Sequence, residues 1–486
     1  MISVLLLLPV LLPLLGGVLV FFQKNEKLRN RLVIGTVLAT AACALAVCLL
    51  PEISLELLAL DRGVLTLALR SDGISRLFLV LACGIWIAAM YFAFPYLKHA
   101  GRENQFLGFF TVTLGILMGL FLARNFVTLY MFFELMTLLT VPLVLHDGTE
   151  GSRRAGVKYM GYSVFGAGLA LAGFFFLSFY LASPDFTAGG ALDPGRAAEH
   201  RELLLWAYFL MFTGFGCKAG LMPMQSWLTA AHPVAPAPAS AVLSGVITKG
   251  GVLAILRVTY YMFGPDFLRG SWVQETLMAL ALATVFVGSM LAYKEQLLKK
   301  RLAYSTVSQV SYVLFGILLL SGEGLLGALL QVVFHAIAKN ILFLAAGAII
   351  VTTSCTRVDQ LTGIGKRMPV TTWCFALASL SLVGIPPMSG FVSKWYLAVG
   401  ALDGGFGALG VWGAVILLLS ALLTAGYLLP IVTRGFFPGT DYIAERREVG
   451  PAMFAPLLVL SALALLLGLR PGGLIHGLGG LLAGLV

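Results

Sequence analysis

The sequence predicts an all-α polytopic membrane protein of about 14 transmembrane helices, with helices 7 and 12 broken and two five-helix units repeated in inverted orientation. Three observations carry that expectation. Of 486 residues, 59% are apolar and 11% charged, whereas a soluble domain is about 45–50% apolar and about 25% charged. Apolar stretches of the roughly 20 residues that a helix needs to cross a hydrocarbon core recur along almost the whole chain. Basic residues collect in alternate connections between these stretches.

Taken in order, the first stretch (MISVLLLLPVLLPLLGGVLVFF) has no basic n-region and no small-residue cleavage site, and it is longer than a signal-peptide core, so it reads as span 1 at 2–22. Spans 2 to 6 follow at 31–50, 73–94, 106–123, 126–145 and 159–182. Span 7, at 203–228, contains GFGCKAGLMP, which sets Lys218 among three glycines and Pro223. Span 8 (239–263) holds Lys249 and Arg257, span 9 lies at 272–292, and span 10 (304–320) places Ser305, Ser308, Gln309 and Tyr312 on one face. That stripe suits ordered water, and it equally suits close packing of helices through small residues. Span 11 (325–351) carries His335 and Lys339 four residues apart. Span 12 (370–399) contains SLSLVGIPPMSGFVSKWYL, with adjacent prolines ahead of Lys394, and spans 13 and 14 lie at 409–433 and 452–469.

With the N-terminus outside, the odd-numbered connections hold 19 Lys and Arg and the opposite side eight. By the positive-inside rule both termini then lie outside, and the net charge of +10 reflects topology rather than a nucleic-acid or acidic partner. The six cysteines form no C-x-x-C and no metal-like cluster. Phosphate-loop, dinucleotide, haem and iron–sulfur motifs are absent, so no cofactor or metal is expected, and energy must come from an ion gradient or another subunit.

Five basic residues remain inside spans, Lys218, Lys249, Arg257, Lys339 and Lys394, and one acid, Glu134, is similarly deep. A charge at a helix centre costs about 2.5–3.5 kcal/mol on insertion scales, so each needs a partner or water. Arg257, near a helix end, has a bland alternative in snorkelling to the interface. Lysine suits proton transfer because desolvation readily makes it give up its proton, whereas arginine keeps its charge. Proline and glycine beside a deep lysine mark backbone that only protein or a water-filled cavity can satisfy. Two such breaks, five spans apart, suggest that spans 4–8 (106–263) and 9–13 (264–435) are inverted repeats. Spans 1–3 (1–105) precede them, and span 14 with the C-terminal tail (436–486) follows.

The stretch KAGLMPMQSWLTAAHPVAPAPASAVLSGVITKGGVLAILR (218–257) resembles the central signature of the antiporter-like, proton-translocating membrane subunits shared by respiratory complex I, Mrp-type multisubunit Na+/H+ antiporters and membrane-bound energy-converting hydrogenases. FFELMTL (132–138), RLAYSTVSQVSY (301–312), FHAIAKNILFLAAGAII (334–350) and GIPPMSGFVSKWYL (384–397) resemble it too, in the same order. Thr229 and Phe334 depart from the usual Pro and Asn. The resemblance implies a proton line from Glu134, paired with Lys218, through Lys249, His335 and Lys339 to Lys394. It also implies other membrane subunits as partners, protons and Na+ as ions, a prokaryotic inner-membrane location, and a translocase complex that holds the redox centre elsewhere. The alternatives are a Na+/H+ antiporter subunit and a non-conducting structural subunit of a redox complex.

Overall fold

A computed structural model describes residues 2–60, 65–439, 445–482 and 484–485. A short 3-10 turn, Ile2–Leu7, leads into α1 (Leu8–Phe22), followed by α2 (Glu26–Leu49), the strands β1 (Ile53–Leu60) and β2 (Leu65–Ser71), α3 (Gly73–Ala100), α4 (Glu103–Phe121), α5 (Phe126–Val144) and α6 (Glu150–Ser178). After the short α7 (Pro194–Glu199) come α8 (Arg201–Ala219) and α9 (Ser226–Val234). Then α10 (Ala237–Val242) and α11 (Thr248–Arg257) run on as one helix through the π turns Leu243–Ile247 and Val258–Phe263. The second half comprises α12 (Pro265–Leu268), α13 (Trp272–Lys294), α14 (Leu298–Leu318), α15 (Gly322–Thr353), α16 (Ile364–Arg367), α17 (Pro369–Val383), α18 (Ser389–Asp403), α19 (Ala408–Phe436), α20 (Pro451–Leu469) and α21 (Gly472–Leu482).

Among the described residues, 11 helices are long and apolar enough to cross a membrane. The remaining expected spans fall on α8–α9 and α17–α18, both interrupted, and on α14, which is polar along much of its length. Helix starts follow local chemistry: the side chains of Asn25, Asp72, Asn125, Thr149, Ser271 and Ser321 each accept a bond from a backbone N–H of the first turn.

The bundle is arranged inside out relative to a soluble protein. The Ala237–Phe263 helix is wholly buried and α15 almost so, and these carry Lys249, Arg257, His335 and Lys339. The peripheral α2, α6, α19 and α20 are largely exposed and present leucine, valine and phenylalanine outward. Lipid solvates that apolar surface, so nothing drives it inward, while backbone polarity is satisfied within each helix.

Besides the short α7, α12 and α16, two features lie outside the expected spans. One is α21, and the other is the antiparallel β1–β2 hairpin, whose register pairs Ile53 with Ser71 and is bulged between Glu56 and Leu58. Thr128 Oγ1 accepts from the Ala68 N–H at 2.9 Å, and the Arg124 N–H donates to the Ala68 carbonyl at 3.0 Å, so the hairpin caps the α4–α5 junction.

The hairpin also delivers Asp72, which settles the alternative left open for Arg257. Arg257 does not snorkel: its guanidinium donates to both Asp72 oxygens at 2.5 and 2.8 Å and to Ser75 Oγ at 3.0 Å, and it lies 4.5 Å from the Tyr261 ring centroid. Burial pushes the Asp72 carboxyl up, but the Arg257 charge and hydrogen bonds, with help from Ser75, outweigh it and hold the carboxyl well below its usual range. A depressed carboxyl stabilises the fold fully above the unfolded-state value near pH 4, and that contribution is lost as pH falls through the folded value. Asp72→Asn leaves a buried guanidinium uncompensated and is expected to cost about 3–5 kcal/mol. A lowered thermal midpoint of the detergent-solubilised protein at pH 7, with the deficit narrowing in strong acid, is the expected reading; an unchanged midpoint would show the pair to be dispensable.

Candidate functional site

Two helix breaks organise the polar interior. α8 ends at Gly220 and α17 at Gly384, both in the left-handed region with φ of 94° and 87° that glycine adopts without a Cβ penalty. Lys218 lies in the last turn before the first break, and Lys394 lies on α18 just after the second.

Lys218 is 1% exposed. Its ammonium donates to Thr137 Oγ1 on α5 at 2.7 Å, and to Tyr159 Oη at 2.8 Å and Ser163 Oγ at 3.2 Å on α6. The Tyr159 ring centroid lies 4.3 Å away, and Tyr159 Oη is 2.6 Å from Thr140 Oγ1. Gly251 makes this packing feasible, since a Cβ there would meet Ala219 N and Phe215 O at 2.9 Å. Glu134 is half-buried on α5, one turn before Thr137, and no ion pair within 4.0 Å joins it to Lys218 among the described residues. The direct hydrogen-bond partners of the ammonium are thus three hydroxyls.

Lys249 begins the α11 segment directly after a π turn, and its Nζ donates to the Ser244 carbonyl at 2.6 Å. It also lies 2.5 Å from His335 Nδ1 on α15, a contact between residues 86 apart in sequence. Lys339, one turn on from His335, donates to the Leu302 carbonyl at 2.9 Å and to Ser305 Oγ on α14. Lys394 donates to the Leu382 and Val383 carbonyls, the last of α17, and sits 5.3 Å from the Tyr312 ring centroid. Those carbonyls form the negative end of a helix dipole, which favours an ammonium. Among the described residues none of these four lysines has a carboxylate within 4.0 Å; hydroxyls, carbonyls and one imidazole are what solvate them.

The α14 stripe joins the second half of the line. Ser305 receives Lys339, Gln309 Oε1 accepts from Gln331 Nε2 at 2.9 Å, and Gln331 Oε1 accepts from Ser393 Oγ at 2.6 Å, next to Lys394. Ser308 lies 2.8 Å from Ser289 Oγ and 3.2 Å from Ser420 Oγ, while a Cβ at Gly288 would press on Ser308 N at 3.0 Å. The stripe therefore both bonds the lysine line and packs helices closely. His335 Nε2, Gln309 Nε2 and Asn340 Oδ1 are buried without a protein partner among the described residues, the condition that draws water into a polar interior.

The structure thus brings together Lys249 with His335 directly, and Lys339 and Lys394 through α14, while Glu134 and Lys218 are neighbours without contact. Sequence reasoning missed His232, which is fully buried on α9, stacks on Phe343 with ring centroids 4.5 Å apart, and has both ring nitrogens unpartnered. It fell in a stretch read as the connection between spans 7 and 8, where the prolines of AAHPVAPAP hid a buried helix. Thr137, Tyr159, Ser163, Gln331 and Ser393 were missed because hydroxyls and amides are common in membrane helices; spacing from Glu134, His335 and Lys394 flags Thr137, Gln331 and Ser393, and nothing local flags Tyr159 and Ser163.

Residues 123–424 match the family described as NADH:quinone oxidoreductase/Mrp antiporter, TM. The chain is similar to NADH-quinone oxidoreductase subunit N of Desulforudis audaxviator, 32% identical over 416 residues and covering 80% of this chain and 79% of that one. It is 30% identical over 429 residues to hydrogenase-4 component B of Escherichia coli, covering 83% of this chain and 62% of the longer relative. The fold is similar to a chain in the Mrp complex of Dietzia sp. DQ12-45-1b, with a TM-score of 0.84 and 25% identity, over 99% of this chain and 97% of that one.

Proposed function

Because the chain belongs to the NADH:quinone oxidoreductase/Mrp antiporter membrane family, we propose that it moves protons through its buried lysine and histidine groups within a larger membrane complex. It is a multi-span antiporter-like subunit, and other membrane subunits are its partners, as in the complexes its relatives belong to.

One observation carries the proton reading: Lys249 Nζ and His335 Nδ1 are 2.5 Å apart inside the bundle. Two bases in hydrogen-bond contact share a proton, with one donating and the other accepting, so passing that proton along needs only a change of donor. In this reading Lys218 is the central switch and Glu134 the carboxylate that modulates it through the field rather than by contact. Lys249 and His335 form the relay, Lys339 hands on to the α14 stripe, and Lys394 exchanges with the second compartment. The inverted repeats, residues 106–263 and 264–435, with 1–105 before and 436–486 after, belong to the same proposal. The glycine-ended breaks after α8 and α17 support them.

A cation/proton antiporter role is the second reading, favoured by the similarity to an Mrp chain. Both are tested with the purified assembly in proteoliposomes carrying a pH-sensitive dye. Under an imposed potential, proton uptake is expected at equal rates in potassium and sodium media. Uptake that requires sodium selects the antiporter reading, and no uptake in either medium selects a structural subunit.

A further inference from the structure

On the membrane face away from the lysine line, an apolar groove of ≈ 630 Å³ opens between α3, α20 and the outer side of α15. Its α3 wall runs from Leu77 to Tyr91 and its α20 wall from Ala452 to Leu467. At 1.5 Å per residue these walls are about 21 and 23 Å long, so the groove runs along most of the depth of a hydrocarbon core about 30 Å thick. Gly84, Ala88 and Ala455 keep the groove open, and an added Cβ at Gly84 would meet no atom within 4 Å.

The groove does not end blindly. A second cleft of ≈ 330 Å³ shares Leu77, Val80 and Leu474 with it and is lined by Arg76, Gly473 and Gly477. Neither cleft is lined by Asp or Glu among the described residues. Arg76 gives Nη2 to the Leu50 carbonyl at 2.8 Å, and its Nε is buried with no protein partner among the described residues. A long apolar slot that leads to an arginine with no carboxylate partner among the described residues complements an acyl chain that ends in a phosphate.

We propose that this groove binds a bilayer phospholipid, with one acyl chain between α3 and α20 and the phosphate at Arg76. Val333 and Ile337, which line the groove, lie two residues either side of His335, so they face the opposite side of α15 from the Lys249 contact. The lipid chain completes the apolar wall behind that histidine, whichever ion the protein moves.

The test uses the intact assembly in vesicles of phosphatidylethanolamine and phosphatidylglycerol doped with a phospholipid that carries a diazirine on one acyl chain. After irradiation, digestion and mass spectrometry, cross-links are expected to be several-fold enriched on residues 77–91 and 452–467 over the exposed face of α6. Excess unlabelled phospholipid should remove the enrichment, and Gly84→Phe should abolish it. Arg76→Gln should weaken competition by phospholipid relative to free fatty acid. Equal labelling of α6, enrichment that survives Gly84→Phe, preferential competition by free fatty acid with the parent, or a second polypeptide cross-linked in the groove would each overturn the proposal.

Discussion

Lys218→Met is expected to lower proton uptake by the reconstituted assembly about a hundredfold or more, the scale on which removal of a positioned proton-transfer group is felt. Methionine has nearly the length of lysine and keeps the packing against Tyr159 and Trp227, while its thioether cannot carry a proton. Of the three hydroxyls that solvate the ammonium, Tyr159 Oη retains Thr140 Oγ1 at 2.6 Å and Thr137 Oγ1 retains the Phe133 carbonyl at 3.4 Å after its loss. The fold should therefore survive, which circular dichroism and elution volume check. Lys218→Arg separates charge from proton exchange. A guanidinium preserves the positive charge but does not release its proton at any accessible pH, so it too should abolish uptake. Wild-type rates in the arginine variant would leave the central switch without foundation.

The break between α17 and α18 supplies the second large effect. An added Cβ at Gly390 would stand 1.8 Å from the Ser381 carbonyl oxygen, an unyielding backbone atom. Gly390→Ala must therefore push α18 away from α17, and such overpacking costs about 3 kcal/mol or more. The same displacement carries Lys394 off the Leu382 and Val383 carbonyls and Ser393 off Gln331, so uptake should fall together with the thermal midpoint. Gly35→Ala on α2, where a Cβ meets nothing within 4 Å, is the matched control and should leave both unchanged. If the two alanine variants behave alike, the close approach of the half-helices has no bearing on function.

These expectations draw unequally on the chain's one-dimensional pattern. The depth of Lys218, Lys249, Lys339 and Lys394 was legible because hydrophobicity over a helical length is a local property, and a lysine inside such a run has nowhere else to be. The breaks at GFGCKAGLMP and GIPPMSGF were equally legible, since glycine and proline act on their own backbone. β1–β2 was overlooked because the alternation of ISLELLAL and LTLALRS is short beside the helices that flank it. His232 was overlooked because proline-rich sequence reads as a connection even where it is buried.

By itself, then, the sequence determined the solvent, the helices, where two of them break, and which charged side chains lie deep, all of which follow from near-neighbour chemistry along the chain. Partner choice was decided only by the tertiary structure. Lys249 meets His335 across 86 residues, and Arg257 meets Asp72 across 185. Lys218 reaches hydroxyls on α5 and α6, one of them Thr137, a turn beyond Glu134. Which of several polar groups a buried ammonium reaches depends on how helices cross and how closely glycines let them approach, and that geometry emerges only when the whole bundle packs.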